Sequence, residues 1–231
     1  MTEFFRFPHT PHIQWLGEGQ PRDDKLLSPQ EVKALLSASV LVEEKLDGAN
    51  LGISLGPDDN LRAQNRGQYL IEPYAGQFSR LSAWLAQHQW ALTDKLQTGW
   101  ILFGEWCAAR HSLEYECLPD WFVLFDVYDT REQRFWSSAR RNALAADIGL
   151  ASVPVLFQGK SSLPKLKQLL RNSISRYRSG PSEGLVVRKD SELWCESRGK
   201  LVRAEFTQTI SEHWSRRAIE WNQVMSYGDR R

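Results

Sequence analysis

Residues 1–28 show neither a two-residue nor a helical period. They are rich in Pro and Gly, with Phe7-Pro8-His9-Thr10-Pro11-His12 near the start, and are read as an arm that packs on the domain after it. Ser28-Pro29-Gln30-Glu31 has the spacing of a capping box with proline at the first helical position. Val32, Leu35 and Leu36 then share one face, so a short helix is predicted to end near Ser37. From Val40 to Asn65 the pattern changes to short β-type runs, the last two joined by the turn sequence Pro57-Asp58-Asp59-Asn60. Phe78, Leu81, Leu85, His88 and Leu92 recur at helical spacing, followed by apolar strands at 100–107 and 121–129. Further helices are predicted at Ser138 to Ile148 and, from Leu163, Leu166, Leu169, Leu170 and Ile174, at Ser161 to Tyr177. Two more strands follow at 183–189 and 200–206. Ile210, Trp214, Ala218, Trp221 and Met225 make a closing stripe, read as a helical extension over 206–231. The sum is one α+β domain over 1–231 with mostly antiparallel sheets, since no repeat, low-complexity tract or long linker divides it.

Composition narrows the class. A chain of 231 residues buries a core without disulfides or metals, and Cys107, Cys117 and Cys195 offer no CxxC pair, so they read as small packing residues. No apolar run reaches the roughly 18 residues of a membrane helix. Met1 to Trp15 carries Glu3, Arg6 and two prolines where a signal peptide is apolar, so a cytoplasmic location is expected. Ten tryptophans are a heavy load, and some are expected on a substrate surface as well as in the core. Lys plus Arg number 29 and Asp plus Glu 28, so an anionic partner must be met by a local patch. One candidate is present: Lys160, Lys165, Lys167, Arg171, Arg176 and Arg178 run without an Asp or Glu among them. Such cations can contact phosphates in a sequence-independent way, or simply solvate an exposed helix face.

The stretch Glu43-Glu44-Lys45-Leu46-Asp47-Gly48-Ala49-Asn50 places a lysine at the end of an apolar strand. A nucleophilic amine must be neutral, and a free lysine titrates at about 10.4, so burial at the strand end is expected to prepare it. Gly48 is expected to let the chain turn tightly beside a bound phosphate. The two histidines of the Phe7 to His12 arm lack partners for a metal site, so a packing or substrate-facing role is expected for them.

Other segments follow in a fixed order: Arg62 to Gly67 (RAQNRG), Phe103-Gly104-Glu105, Phe125-Asp126-Val127-Tyr128, Glu183 to Arg188 (EGLVVR) and Lys200-Leu201-Val202-Arg203. Together with Lys45-x-Asp47-Gly48, this ordered set resembles the lysyl-nucleotidyltransferase superfamily of polynucleotide ligases and mRNA capping enzymes, from Val40 to about Phe206. DNA ligases and capping enzymes usually carry Arg at the fifth position after the lysine, whereas RNA ligase 2 and the kinetoplastid editing ligases carry Asn. Here it is Asn50, so the chain looks like an ATP-dependent RNA ligase of the RNA ligase 2-like group.

That resemblance implies a nucleotidyltransferase (adenylyltransferase) fold with flanking helices and, with only about 25 residues after Phe206, no appended OB-fold. It implies that Lys45 attacks the α-phosphorus of ATP and carries AMP, and that Glu44 lies at the adenine edge through its backbone. Glu105 would accept from the ribose hydroxyl, Phe125 would stack on adenine, and Arg66 would sit over the nucleotide and the incoming RNA end, with Arg62 on its face if the strand continues. Asn50 would orient the phosphate or the attacking hydroxyl. Asp47 and Glu183 would hold Mg2+ or Mn2+, which takes one or two carboxylates and fills its shell with water and phosphate oxygens. Lys200 and Arg203 would meet the phosphates, although strand alternation puts Arg198 on the side of Lys200 and Arg203 on the other. Lys160, Lys165, Lys167 and Arg171 would contact RNA. The implied partners are RNA with 5′-phosphate and 3′-hydroxyl ends and an end-healing repair enzyme. The alternatives are a DNA ligase or capping-type enzyme, or a nucleotide- or RNA-binding module without turnover.

Overall fold

The computed structural model describes residues 4–19, 25–208 and 218–225. The capping box forms as its spacing demands: Ser28 N–H donates to Glu31 Oε2 (2.7 Å) and Glu31 N–H to Ser28 Oγ (3.2 Å), opening helix α1, Pro29–Leu35. Strands β1 (Ser39–Lys45), β2 (Ala49–Leu55) and β3 (Leu61–Gln64) follow, then helix α2 (Leu81–Lys95), β4 (Trp100–Trp106), β5 (Phe122–Asp129) and β6 (Arg134–Phe135). Helix α3 (Ser138–Asp147) leads to β7 (Ala151–Ser152), β8 (Val155–Lys160) and helix α4 (Leu163–Asn172). The strands β9 (Gly184–Asp190) and β10 (Cys195–Val202) precede a short helix α5, Ala204–Gln208. Two sheets result, a four-stranded one in the order β10-β9-β1-β8 and a six-stranded one in the order β3-β2-β4-β5-β6 with β7 beside β5. Among the named strands only β5–β7 pair in parallel.

Alternation assigns the faces. In the four-stranded sheet Val40, Val42, Leu185, Val187 and Leu201 point into a core closed by Leu35 of α1 and Leu166 and Leu170 of α4. In the six-stranded sheet Leu51, Ile53, Leu102, Trp106, Phe122 and Leu124 meet Leu81, Trp84 and Leu92 of α2 and Ala145 of α3. Helices therefore cover one face of each sheet, and the faces they leave meet around a cavity. In the N-terminal segment Phe5 stacks on Tyr128 (3.6 Å between centroids), Phe7 is 4% exposed against Phe103 and Phe125, and His12 bridges to Lys200.

Three sequence expectations need correction. Helix α4 ends at Asn172 instead of Tyr177, because Ser173 turns its hydroxyl back onto Leu170 O (2.9 Å) and Ile174, counted in the apolar stripe, is 69% exposed. The last strand spans 195–202, so Arg203 to Phe206 fall outside it. The stripe from Ile210 to Met225 is not one helix. Residues 218–225 run extended, with bridges Ala109 to Trp221 and Leu118 to Val224, while Ile210 and Trp214 lie outside the described residues. Here the apolar side chains serve cross-chain pairing, which spacing alone does not distinguish from a helix face.

A buried ionic network ties the sheets together. Arg141 of α3, fully buried, pairs with Glu43 of β1 (2.6 Å) and donates to Phe125 O (2.6 Å). Arg188 of β9 pairs with Asp126 of β5 (2.6 Å) and donates to Trp136 O (2.9 Å), and Arg198 of β10 pairs with the same Asp126. Removing one partner of a buried pair strands the other. Asp126→Ala is therefore expected to lower unfolding free energy by about 3–5 kcal/mol, read by denaturant titration. A loss below about 1 kcal/mol would place the network outside the stabilising core.

Candidate active site

The cavity between the sheets measures about 720 Å³, and Lys45, Asp47, Asn50, Arg66, Glu105, Phe125, Glu183 and Lys200 all line it. Strand register explains the convergence. Lys45, the last residue of β1, pairs with Gly184, the first of β9, which brings Glu183 beside it, while Asn50 of β2 lies opposite Glu105 of β4. Between β1 and β2 the chain passes so close to β4 that a Cβ on Gly48 would stand 2.6 Å from Trp106 O. Glycine is thus needed for contact with β4, where the sequence suggested contact with a phosphate. The Gly48 N–H donates to Glu105 Oε1 at 3.1 Å.

Lys45 Nζ lies 2.7 Å from both oxygens of Glu183. Burial by itself would lower the lysine pKa, but Glu183, Glu105 and Asp47 outweigh it and raise the pKa above its ordinary value. Lys45 therefore rests as an ammonium among acidic side chains, not as the neutral amine that strand-end burial implied. Those side chains bear the converse strain. Burial, reinforced by neighbouring carboxylates and opposed by Lys45, pushes both Glu105 and Glu183 up to about 7. Asp47 is held differently. Its Oδ2 accepts from the N–H groups of Ser112 (2.7 Å) and Leu113 (2.8 Å), and its own N–H donates to the Tyr115 hydroxyl (2.8 Å).

Asn50 lines the cavity, and its Oδ1 is buried with no hydrogen-bond partner among the described residues. Phe125 meets Phe7 edge to face at 5.3 Å, and its carbonyl is anchored by Arg141 and Arg188. Arg66 sits on a turn in which Asn65 Oδ1 accepts from Gly67 and Gln68 N–H, with its guanidinium 3.5 Å from His9 Nδ1. Because β3 ends at Gln64, Arg62 does not share its face, and instead lies over the Tyr69 ring at 4.3 Å. Arg198 and Lys200 both line the cavity, as alternation required.

Arg203 and the basic residues Lys160, Lys165, Lys167 and Arg171 are placed elsewhere. Arg203 caps helix α4, donating to Ser182 O (2.9 Å), Ser173 O (3.0 Å) and Leu170 O, and does not line the cavity. It follows the strand instead of lying within it, which the strand reading of 200–206 concealed. Glu44 lines the cavity, with its N–H donating to Pro154 O (2.9 Å) and its carboxylate accepting from Arg176 N–H (3.0 Å). Lys160, Lys165 and Arg171 are exposed and Lys167 half-buried, and none lines the cavity, since α4 covers the far face of the sheet. Sequence reading missed Arg198's pairing and the contacts of Ser112, Leu113 and Tyr115 with Asp47, some 65 residues away along the chain. No local spacing signals contacts of that range.

A family model for RNA ligase matches residues 38–203. A comparison with curated proteins returned no match. Among solved structures, Naegleria gruberi RNA ligase in an apo mutant form matches with a TM-score of 0.61 and 16% identity, over 79% of this chain and 54% of that one. The same ligase with PPi gives 0.60 and 18% over 79% and 54%, and a mutant of it with ATP and Mn gives 0.60 and 17% over 88% and 64%. The chain thus spans between about half and two thirds of the length of those structures, and at these identities the likeness shows a common fold.

Proposed function

This chain belongs to the RNA ligase family, and from that premise we propose that it is an ATP-dependent RNA ligase that works through a lysyl-AMP intermediate at Lys45. The observation that carries the reading is the Lys45 ammonium held at 2.7 Å by Glu183 inside a cavity that also presents Glu105, Asp47, Asn50 and Lys200. A module that only binds nucleotide needs no amine in such a cage.

Three in-line transfers follow. Lys45 passes one ammonium proton to Glu183, and the freed Nζ bonds to the α-phosphorus of ATP as the bond to the β-phosphate oxygen breaks; pyrophosphate leaves and takes up the second proton that the nitrogen sheds. An oxygen of an RNA 5′-phosphate then takes the adenylyl group from Lys45, which regains its amine. Finally an RNA 3′-hydroxyl attacks that 5′-phosphorus, loses its proton and expels AMP. The protein contributes position and charge throughout. Phe125 would stack on adenine, the second oxygen of Glu105 would accept from the ribose hydroxyl, Asn50 would orient the phosphate, and Arg66 and Lys200 would face the phosphate charge.

Asp47 and Glu183 would suit a hard divalent cation, because both are carboxylates that line the cavity and act on the charge of Lys45. Mg2+ or Mn2+ bound there would neutralise phosphate charge. Glu183 would then serve both the ion and Lys45.

The proposed substrates are RNA ends bearing 5′-phosphate and 3′-hydroxyl groups, in RNA repair beside an end-healing partner. Among the described residues no helix is long and apolar enough to cross a membrane. The basic residues of α4 lie away from the cavity, so they would touch the body of the RNA instead of its reacting ends. Replacing Lys165, Lys167 and Arg171 together with Gln is expected to weaken RNA binding and to flatten the plot of log affinity against log salt by about 0.7 per lost contact on a single strand. Labelling of Lys45 should be unaffected. Anisotropy at several salt concentrations reads the slope, and an unchanged slope would make the patch a solvated helix face.

Incubation with a divalent cation and ATP radiolabelled at the α-phosphate tests the function itself. Covalent label, then sealing of RNA, is the expected result. GTP labelling the chain as well as ATP would favour a capping-type enzyme.

A further inference from the structure

Residues 218–225 lie outside the segment matched by the family model, yet they are stitched to the loop that holds Asp47. Asn222 N–H donates to Ala108 O (3.0 Å), Gln223 N–H to Tyr115 O (2.9 Å), Leu118 N–H to Gln223 O (2.9 Å) and Arg110 N–H to Glu220 O (2.8 Å). At the centre, the Asn222 side chain is 3% exposed and occupied at both ends. Its Nδ2 donates to Cys107 O (2.8 Å) and Ala109 O (3.3 Å), and its Oδ1 accepts from Tyr115 N–H (2.8 Å). Tyr115, itself fully buried, accepts from Asp47 N–H through its hydroxyl, while Ser112 and Leu113 in the same loop hold the Asp47 carboxylate. Asn222 therefore reaches the turn after Lys45 through a continuous chain of hydrogen bonds.

From this geometry we infer that Asn222 and Tyr115 are positioning residues for lysine adenylylation, fixing the Lys45 to Gly48 turn so that Nζ stands in line with the α-phosphorus. The inference rests on the ligase reading. Neither residue lines the cavity, so neither touches ATP, and both act through Asp47 and its turn. Two physical reasons favour a catalytic consequence over mere packing. In-line attack tolerates little displacement, and a shift of about 1 Å can cost two orders of magnitude in rate. In addition, amide side chains that satisfy both donors and acceptor in a buried loop fix one arrangement of that loop, since any other leaves buried polar groups unpaired.

The test compares the wild-type chain with Tyr115→Phe, Asn222→Ala and the double variant in single-turnover labelling by ATP at saturating concentration. Tyr115→Phe removes one oxygen and keeps the ring. It is expected to slow the rate constant about tenfold with half-saturating ATP unchanged, because nucleotide contacts are untouched while orientation is lost. Asn222→Ala should slow it at least as much. The double variant should be no slower than Asn222→Ala, since both act along one chain of bonds. A purely structural role would reduce the fraction of chains that label while leaving the rate constant of that fraction at the wild-type value. That outcome, effects that multiply, or a Tyr115→Phe rate equal to wild type would each overturn the inference. If Asn222→Ala does not fold, the Tyr115→Phe rate constant alone decides. A wild-type chain that takes no AMP would overturn the ligase reading and this inference with it, whereas a labelled wild type with equally fast variants overturns this inference alone.

Discussion

Lys45→Ala is expected to abolish covalent AMP entirely while the chain stays folded. First, within the cavity the amine of Lys45 is surrounded by the groups a nucleotidyl transfer needs, Glu183 at 2.7 Å and Glu105, Asp47 and Lys200 around it, and the guanidinium groups of the cavity wall offer no substitute. Arg198 is paired with Asp126 and lies 4.0 Å from the Phe135 ring, and guanidinium groups are not nucleophiles at neutral pH. Second, removing the ammonium does not leave stranded charges. Glu105 and Glu183 already titrate near 7, and without Lys45 they rise further and take up protons near neutral pH, which limits the cost to the fold. Lys45→Arg separates charge from nucleophilicity: it keeps a cation for Glu183 and should be equally unlabelled. Intact mass spectrometry after incubation with ATP and a divalent cation reads both variants.

Glu183→Gln is expected to slow adenylylation by about two to four orders of magnitude, the range of a positioned proton acceptor. Its direction discriminates between roles. If Glu183 only held the ammonium, removing its charge would lower the Lys45 pKa, free the amine and speed the reaction. Slowing identifies a carboxylate that works in the transfer. The pH profile carries the same sign. Glu183 must be ionised to accept a proton; burial raises its pKa to about 7 before the nucleotide and divalent cation arrive, and a bound cation draws it down, so the wild-type rate should rise with pH through a limb at or below about 7. Glu105 titrates in the same range, so the limb belongs to the pair. In Glu183→Gln one neighbouring negative charge is gone, Glu105 falls back toward the ordinary carboxylate range, and the limb should move to lower pH. A Glu183→Gln chain with the wild-type rate and limb would remove Glu183 from the chemistry.

Much of this architecture was legible from local rules. The capping box of α1, the β1–β2–β3 run, the α2 stripe and the strands carrying Glu105 and Phe125 all stand where periodicity puts them, because each depends on neighbours a few residues away. The convergence of Lys45, Asp47, Asn50, Glu105, Glu183 and Lys200 was legible only through their ordered resemblance to a family, since strand pairing, which no single segment encodes, brings Glu183 across 138 residues to Lys45. Illegible features share a cause. Arg203 was read as a strand residue and is a helix cap, because the strand ends one residue before it. Strand β8 passed unnoticed because it is an edge strand with mixed exposure and no clean alternation. The apolar spacing of Ala218, Trp221 and Met225 suits a helix, yet backbone pairing with the 107–118 loop holds that segment extended. The protonation of Lys45 was also misjudged, because burial and nearby carboxylates act in opposite directions and only the distances show which prevails.

The central claim is that Lys45 forms the covalent bond to AMP, and the most direct measurement locates that bond. The wild-type chain would be labelled with ATP and a divalent cation, digested, and its AMP-bearing peptide sequenced by tandem mass spectrometry. The account predicts a single modified residue, Lys45, within the peptide that contains Leu41 to Asn50, released by pyrophosphate with return of ATP. AMP on any other residue of a folded chain, or nucleotide bound with no covalent adduct, would contradict it.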